Sequence, residues 1–171
     1  MWIKRDISRF VETNHDVIQV LRGPRQCGKT SLALHLDSDF VEVSLDDPHL
    51  RSLAQSDPVQ FLSRFGKKKI FIDEAQYAPG LFPLLKQRAD QYKRTQKKVL
   101  ETQIRITGSN QILMDQQVKE SLAGRASFFD MNTLSVAEIR NQFPIPICEI
   151  FCSKEAGQSF MFIRINRRPN T

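Results

Sequence analysis

The chain has few of the residues on which disulfide-rich and zinc-binding proteins depend. Only 3 of its 171 residues are cysteine, an odd number without the spacing of a disulfide framework. Cys148 and Cys152 could supply at most half of the ligands that a structural zinc site needs. The 3 histidines are scattered and show no motif spacing. We therefore expect neither a disulfide-stapled domain nor a zinc module, and we expect a reducing, cytoplasmic setting.

Long apolar runs are also missing. No stretch approaches the ~20 consecutive apolar residues that a membrane-spanning helix needs. The N-terminal sequence MWIKRDISRF places Asp6 and Arg9 before any apolar run can build, so we expect no signal peptide. The composition, 40% hydrophobic and 26% charged, is that of a globular protein, and the length suits one domain with a substantial core.

Basic residues outnumber acidic ones, and the formal net charge is +6. They group at 67–69, 93–98 and 164–168, where they could meet a phosphate backbone. Aromatic residues are not interleaved with them as in a single-strand binding surface. We favour solvated loops and helix ends, and we keep nucleic-acid binding as an alternative.

Apolar runs and helical patterns alternate along the chain, which predicts an α/β fold with a largely parallel sheet. Strands are predicted at 17–21, 40–46, 69–72, 103–107 and 126–131. Helices are predicted at 30–36, 49–54, 59–65, 81–92, 112–122 and after Ser135. Asp47 and Asp57, each followed by proline, should cap two of them, and Ser135 with Glu138 has capping-box spacing. The strict alternation of 40–46 is typical of an edge strand.

The sequence GPRQCGKTS fits G-x-x-x-x-G-K-[ST], the Walker A pattern, between a predicted strand and a predicted helix. Two glycines permit the tight turn, and the loop amides and the helix N-terminus would face phosphates. Lys29 would supply charge to the β- and γ-phosphates, and the Thr30 hydroxyl would ligate magnesium. The predicted nucleotide-binding residues are Gly23, Pro24, Arg25, Gln26, Cys27, Gly28, Lys29, Thr30 and Ser31.

Cys27 occupies a loop position that contributes its backbone amide. We interpret its side chain as a tolerated small group. The alternative is a redox gate, because a thiolate beside Lys29 and a helix N-terminus would be favoured, and its oxidation would obstruct the phosphates.

Three further stretches follow predicted strands. KIFIDE ends in Asp73, which would support Mg²⁺, and in Glu74, which would orient an attacking water. ITGSN ends in Ser109 and Asn110, which could reach the γ-phosphate or the water, or could simply cap a helix. Arg125, after Gly124, could reach transition-state charge in cis or on a neighbouring subunit, or could form a surface ion pair.

These stretches, together with VSLDDPHLRSLAQSDPVQFL and ESLAGRASFFDMNTLSVAEI, resemble the predicted bacterial AAA-type ATPases that carry a C-terminal nuclease-like domain of unknown function. The resemblance covers roughly residues 15–140. It implies a three-layer P-loop NTPase fold of the additional-strand catalytic-glutamate type, with a five-stranded parallel sheet in the order 5-1-4-3-2. It also implies Asp73 as the Walker B aspartate, Glu74 as catalytic glutamate, Ser109 as sensor and Arg125 as a functional arginine.

The sequence departs from this family in two places. Residues 90–102 form a longer and more basic connection, and no likeness is found after about Gln142. We expect an N-terminal helix in 1–16, the ATPase domain in 17–141, and a divergent tail in 142–171 that could hold a strand near 160–165. A natural short form, a frameshifted product or a chain cut at its end would each account for this tail.

Three hypotheses follow for function. The first is ATP binding with Mg²⁺-dependent hydrolysis, slow in an isolated monomer because an arginine in trans would complete the site of a homo-oligomer. The second is a nucleotide-binding regulatory module without turnover. The third is nucleic-acid binding switched by ATP.

Overall fold

The structure is a computed structural model that describes residues 2–66, 68–95, 103–108, 121–142, 150–155 and 158–163, the last two ranges by their backbone. The chain forms two compact units, Arg5–Leu134 and a second one made of Met1–Lys4 with Ser135–Thr171. No helix within the described ranges is long and apolar enough to cross a membrane.

The unit Arg5–Leu134 is built on a five-stranded sheet whose neighbouring strands are all parallel. The strands are β1 Ile18–Arg22, β2 Val41–Ser44, β3 Ile70–Asp73, β4 Ile104–Gly108 and β5 Ala126–Asp130. Their order, β2-β3-β4-β1-β5, is the predicted order 5-1-4-3-2 read from the other edge, so the predicted fold class is confirmed.

Helices precede and connect these strands. They are α1 Ser8–Thr13, α2 Lys29–Leu36, α3 Pro48–Ser56, α4 Pro58–Ser63 and α5 Leu81–Thr95, with a short 3-10 turn at Ala75–Tyr77. The predicted helix at 112–122 lies outside the described residues except for Ser121 and Leu122, which are helical.

Side-chain caps explain where α3 and α4 begin. The Asp47 carboxylate accepts hydrogen bonds from the His49 and Leu50 amides at 2.7 and 3.3 Å. Asp57 accepts one from the Gln60 amide at 2.8 Å. Both caps are followed by proline at the first helical position, where its missing N–H costs nothing. The two predicted caps are confirmed.

The central strands are buried because helices or neighbouring segments cover their residues. The side chains of Ile18, Val20, Ile70, Ile72, Ile104 and Ile106 are fully buried. At the edge, Glu42 of β2 is exposed while Val43 is buried, which is the alternation that the sequence showed. The buried β1, β3 and β4 therefore form a rigid platform for the loops at their carboxyl ends.

Arg105 on β4 is a charged residue inside this platform, with only 2% of its surface exposed. Its guanidinium donates to Gln19 Oε1 and to the Ala33 carbonyl, both at 3.0 Å, and lies over the Phe40 ring. Burial lowers the pKa of Arg105 to about 10, although Asp37 opposes that fall. Because Ala33 belongs to α2, this contact helps to fix α2 against the sheet.

The second unit contains α6 Val136–Gln142 and an antiparallel pair, β6 Ile150–Glu155 with β7 Gln158–Ile163. Ser135 and Glu138 form the predicted capping box, since the Ser135 amide donates to Glu138 Oε2 at 2.8 Å and the Glu138 amide to Ser135 Oγ at 3.1 Å. The sequence suggested only one strand in this region, near 160–165, and β6 was missed.

Candidate functional site

The segments that carry the predicted site residues meet at the carboxyl ends of the strands. The loop 23–28 follows β1, Asp73 ends β3, and β4 ends at Gly108, which pairs in register with Arg22. In parallel sheets these ends are where ligands bind, because the loops that follow adjacent strands converge there.

Two glycines give the loop its shape. A Cβ on Gly23 would lie 2.1 Å from the Met131 carbonyl oxygen, so no other residue fits there. Gly28 has a φ of +90°, in the region that favours glycine, and directly precedes α2. The loop can therefore turn tightly from β1 into the N-terminus of α2.

Lys29 lies folded against the loop, with 6% of its surface exposed. Its Nζ donates to the carbonyl oxygens of Gly23 and Pro24 at 3.0 and 2.7 Å. These hydrogen bonds place the positive charge of Lys29 beside the phosphate loop and the N-terminus of α2, where a phosphate group is favoured.

Cys27 is a free thiol whose surface is 4% exposed, with its Sγ 3.9 Å from Lys29 Nζ. A buried thiol is shielded from oxidants, so this position favours the tolerated-side-chain interpretation over the redox gate.

Asp73 is the centre of a polar cluster that joins the two motifs. Thr30 Oγ1 donates to its Oδ2 at 2.8 Å, and Thr107 Oγ1 and the Glu74 amide donate to its Oδ1, the latter at 3.0 Å. The sequence predicted Thr30 and Asp73 as a pair. It assigned no role to Thr107. The position of Thr107 near the end of a predicted strand was the only sequence feature that could have indicated one.

The Thr30 hydroxyl and the Asp73 carboxylate are hard oxygen donors, and such a pair suits Mg²⁺ that also binds nucleotide phosphates. Within the described ranges there is no group of 3 or more His, Cys, Asp or Glu residues that would hold an ion on its own. Thr30 and Asp73 would supply two oxygen ligands of a Mg²⁺ ion, and nucleotide phosphates would supply others.

Glu74 has a left-handed backbone with a φ of 55°, which is uncommon for a non-glycine residue. Its carboxylate accepts a hydrogen bond from Gln76 Nε2, and Gln76 is 6% exposed. Gln26 in the loop has a similar φ of 62°. Backbone strain of this kind concentrates at functional sites. No sequence pattern predicted the contact with Gln76.

A pocket of about 490 Å³ opens over these residues. It is lined by Arg25, Gln26, Gly28, Lys29, Thr30, Ser31, Asp46, Glu74 and Tyr77. Asp46 and Tyr77 were not predicted. Both contact Arg51, which lies 3.8 Å from the Tyr77 ring centroid and 3.6 Å from Asp46 Oδ1. The volume is within the range of small-molecule sites.

Arg125 lies at the amino ends of the strands, opposite the carboxyl ends that bear the phosphate loop. It directly precedes β5, whose first residue, Ala126, pairs with Ile18 at the start of β1, whereas the phosphate loop follows the end of β1. Its Nε donates to Asp90 Oδ1 at 2.7 Å, and this hydrogen bond lowers the pKa of Asp90. The structure therefore does not bring Arg125 to the pocket within one chain. Ser109 and Asn110 lie outside the described residues.

Comparisons with known proteins bear on the family and the fold of this chain. A family model described as an AAA domain matches residues 15–140. Uncharacterized proteins of Mycobacterium bovis and Mycobacterium tuberculosis are each 32% identical over 123 residues, covering 71% of this chain and 26% of theirs. The chain thus spans about a quarter of the length of these curated relatives.

Two solved structures share the fold. A Walker-type ATPase of Pyrococcus abyssi has a TM-score of 0.55 at 21% identity, over 80% of this chain and 55% of that one. A signal transduction ATPase with a tetratricopeptide repeat sensor, from Pyrococcus horikoshii, has a TM-score of 0.50 at 14% identity, over 84% of this chain and 26% of that one.

Proposed function

The chain belongs to the family of AAA domains matched at residues 15–140, and on that premise we propose that it binds ATP with Mg²⁺ and hydrolyses it to ADP and phosphate. The observation that carries the proposal is the contact between Thr30 and Asp73 at 2.8 Å. It joins the helix after the phosphate loop to the end of β3, as a Mg²⁺-nucleotide site requires.

The loop residues would bind the phosphates. The amides that precede α2 and the α2 N-terminus favour negative charge, and Lys29 adds a full positive charge. Thr30 and Asp73 would hold Mg²⁺, which when bound neutralises charge that develops on the transferred phosphoryl group. Asp73 is fixed for this role because Thr107 and the Glu74 amide both donate to its other oxygen.

Glu74 would accept a proton from the attacking water as the water's oxygen bonds to the γ-phosphorus and the bond to the β-phosphate oxygen breaks. Gln76 donates to one carboxylate oxygen of Glu74 and would hold it in place. Glu74 lines the pocket, where its carboxylate would act as the proton acceptor. Ser109 and Asn110 remain proposed sensors of the γ-phosphate.

Asp73→Asn tests the metal site. The variant keeps the size of the side chain and loses its negative charge, so the gain in ATP affinity on adding Mg²⁺ should fall by about tenfold or more. The measurement is the dissociation constant of ATP in Mg²⁺ and in EDTA by calorimetry.

Asp39→Asn is the matched control, because Asp39 is exposed and is not among the pocket residues. It should show the wild-type response to Mg²⁺. An Asp73→Asn protein that also keeps that response would remove Asp73 from the metal site.

Arg125 is proposed to act on a neighbouring subunit, since within its own chain it lies at the amino ends of the strands. Arginines supplied in trans accelerate phosphoryl transfer by about 10³–10⁵-fold. Arg125→Ala should therefore bind ATP normally and lose most turnover, whereas Arg94→Ala, an exposed arginine on α5, should not.

Mixing two inactive proteins separates a role in trans from a structural one. Lys29→Ala lacks the phosphate-binding lysine, and Arg125→Ala lacks the arginine. An equimolar mixture should recover part of the wild-type ATPase rate, because the intact loop of an Arg125→Ala chain can then receive Arg125 from a neighbouring Lys29→Ala chain. A mixture as inactive as its components would contradict the role in trans.

A further inference from the structure

Arg5 lies beneath the phosphate loop, although nothing in the sequence motifs points to it. The residue precedes α1 and only 7% of its surface is exposed. Its Nη1 donates to the Cys27 carbonyl oxygen at 2.7 Å, and its Nη2 donates to the Asn132 carbonyl oxygen at 2.6 Å. One guanidinium therefore joins the C-terminal end of the loop to the segment that follows β5.

The contact with Cys27 sets the direction of the next amide. In a trans peptide the carbonyl and the N–H point in opposite directions, and no peptide bond in the described residues is cis. Since the Cys27 carbonyl points at Arg5, the Gly28 N–H points away from Arg5. Gly28 lines the pocket and Arg5 does not, so this amide is directed to the pocket side of the loop.

The contact with Asn132 gives Arg5 a fixed support. The neighbouring residue, Met131, donates from its amide to the Arg22 carbonyl at 2.8 Å, and its own carbonyl excludes any side chain at Gly23. The segment after β5 is thus attached to the start of the loop. Arg5 extends that attachment to the C-terminal end of the loop, by two charge-assisted hydrogen bonds from one rigid planar group.

We propose that Arg5 is a positioning residue that holds the Cys27–Gly28 peptide so that the Gly28 amide faces the nucleotide phosphates. The inference rests on the proposed ATP binding. A Cβ on Gly28 would lie 3.6 Å from Arg5 Nη1, so the guanidinium charge is also close enough to the loop to favour an anion there. Lysine cannot replace it fully, because a single ammonium does not reproduce the planar fork.

Arg5→Lys and Arg5→Met test this role against Arg9→Met, a control at an exposed arginine of the same segment. Arg5→Met should weaken ATP and ADP binding about 10- to 100-fold, the loss expected for one misdirected amide–phosphate hydrogen bond and a nearby charge. Arg5→Lys should fall between Arg5→Met and wild type, and Arg9→Met should bind as wild type.

A split between KM and kcat distinguishes positioning from general damage. The Gly28 amide would contact phosphate in the ground state and the transition state alike, so Arg5→Lys should raise KM for ATP and leave kcat within about twofold. Hydrogen exchange at residues 23–28 of the nucleotide-free protein should be faster in Arg5→Lys and unchanged in Arg9→Met.

Wild-type affinity and wild-type exchange in Arg5→Lys and Arg5→Met would overturn the role of Arg5 while leaving ATP binding intact. Equal weakening in Arg5→Met and Arg9→Met would overturn it as well. Absence of ATP binding by the wild type would instead overturn the proposed function, and the inference with it. If Arg5→Met does not fold, Arg5→Lys carries the test through its affinity, its KM and its exchange rates.

Discussion

Lys29→Ala is expected to weaken ATP binding by about 100-fold or more, and so to abolish it at ordinary protein concentrations. Lys29 is almost fully buried and its ammonium lies against the phosphate loop, bonded to the Gly23 and Pro24 carbonyls. Its charge therefore acts in a poorly solvated position, where attraction to phosphate is strong. The measurement is calorimetric titration of ATP with Mg²⁺.

Lys68→Ala is the matched control for that experiment, because Lys68 is exposed and precedes β3 at the edge of the sheet away from the pocket. It should bind ATP as wild type. Circular dichroism and the melting temperature should show that Lys29→Ala remains folded. Unchanged affinity in a folded Lys29→Ala protein would mean that the nucleotide does not bind at this loop.

Glu74→Gln is expected to keep ATP affinity within a few fold and to lose turnover by about 10²–10⁴-fold, the usual contribution of a general base. Glutamine has nearly the same shape as glutamate but does not accept the proton of the attacking water. The change also leaves an amide facing Gln76, with which it can still form a hydrogen bond. The measurement is steady-state phosphate release alongside ATP affinity.

Glu42→Gln provides the control for Glu74→Gln, since Glu42 is an exposed glutamate on the edge strand β2. Its turnover and its affinity should match those of wild type. Equal turnover in Glu74→Gln and wild type would remove Glu74 from its role. Loss of ATP affinity in Glu74→Gln would indicate that the residue holds the nucleotide or the fold rather than the water.

Features that depend on short stretches of sequence were predictable. Apolar runs located the strands, since a buried strand needs several consecutive apolar residues. The Asp47 and Asp57 caps were predictable because a cap bonds amides within three residues of itself. The glycine, lysine and threonine of the loop were identified from their spacing. The strand order came from the resemblance to a family, because local sequence patterns do not show which strands lie next to each other in the sheet.

Contacts between distant residues were not predictable in this way. Arg5 and Cys27 are 22 positions apart, and the hydrogen bond that joins them has no local pattern. Arg105 belongs to a correctly predicted strand, yet its burial depends on Gln19 and Ala33, which are 86 and 72 positions away. Arg125 was identified as an arginine of interest, but its position at the amino ends of the strands, away from the pocket, follows only from the register of β5 with β1.

We propose that one pocket, formed by the phosphate loop, the Thr30–Asp73 pair and Glu74, hydrolyses ATP with Mg²⁺. A single-turnover experiment on the wild-type protein tests it most directly: protein in excess over radiolabelled ATP, with Mg²⁺ or with EDTA, followed by quantification of ADP. We expect slow first-order conversion of bound ATP to ADP in Mg²⁺ and none in EDTA. Bound ATP that remains intact in Mg²⁺ over many hours would contradict it and would identify a nucleotide-binding module without turnover.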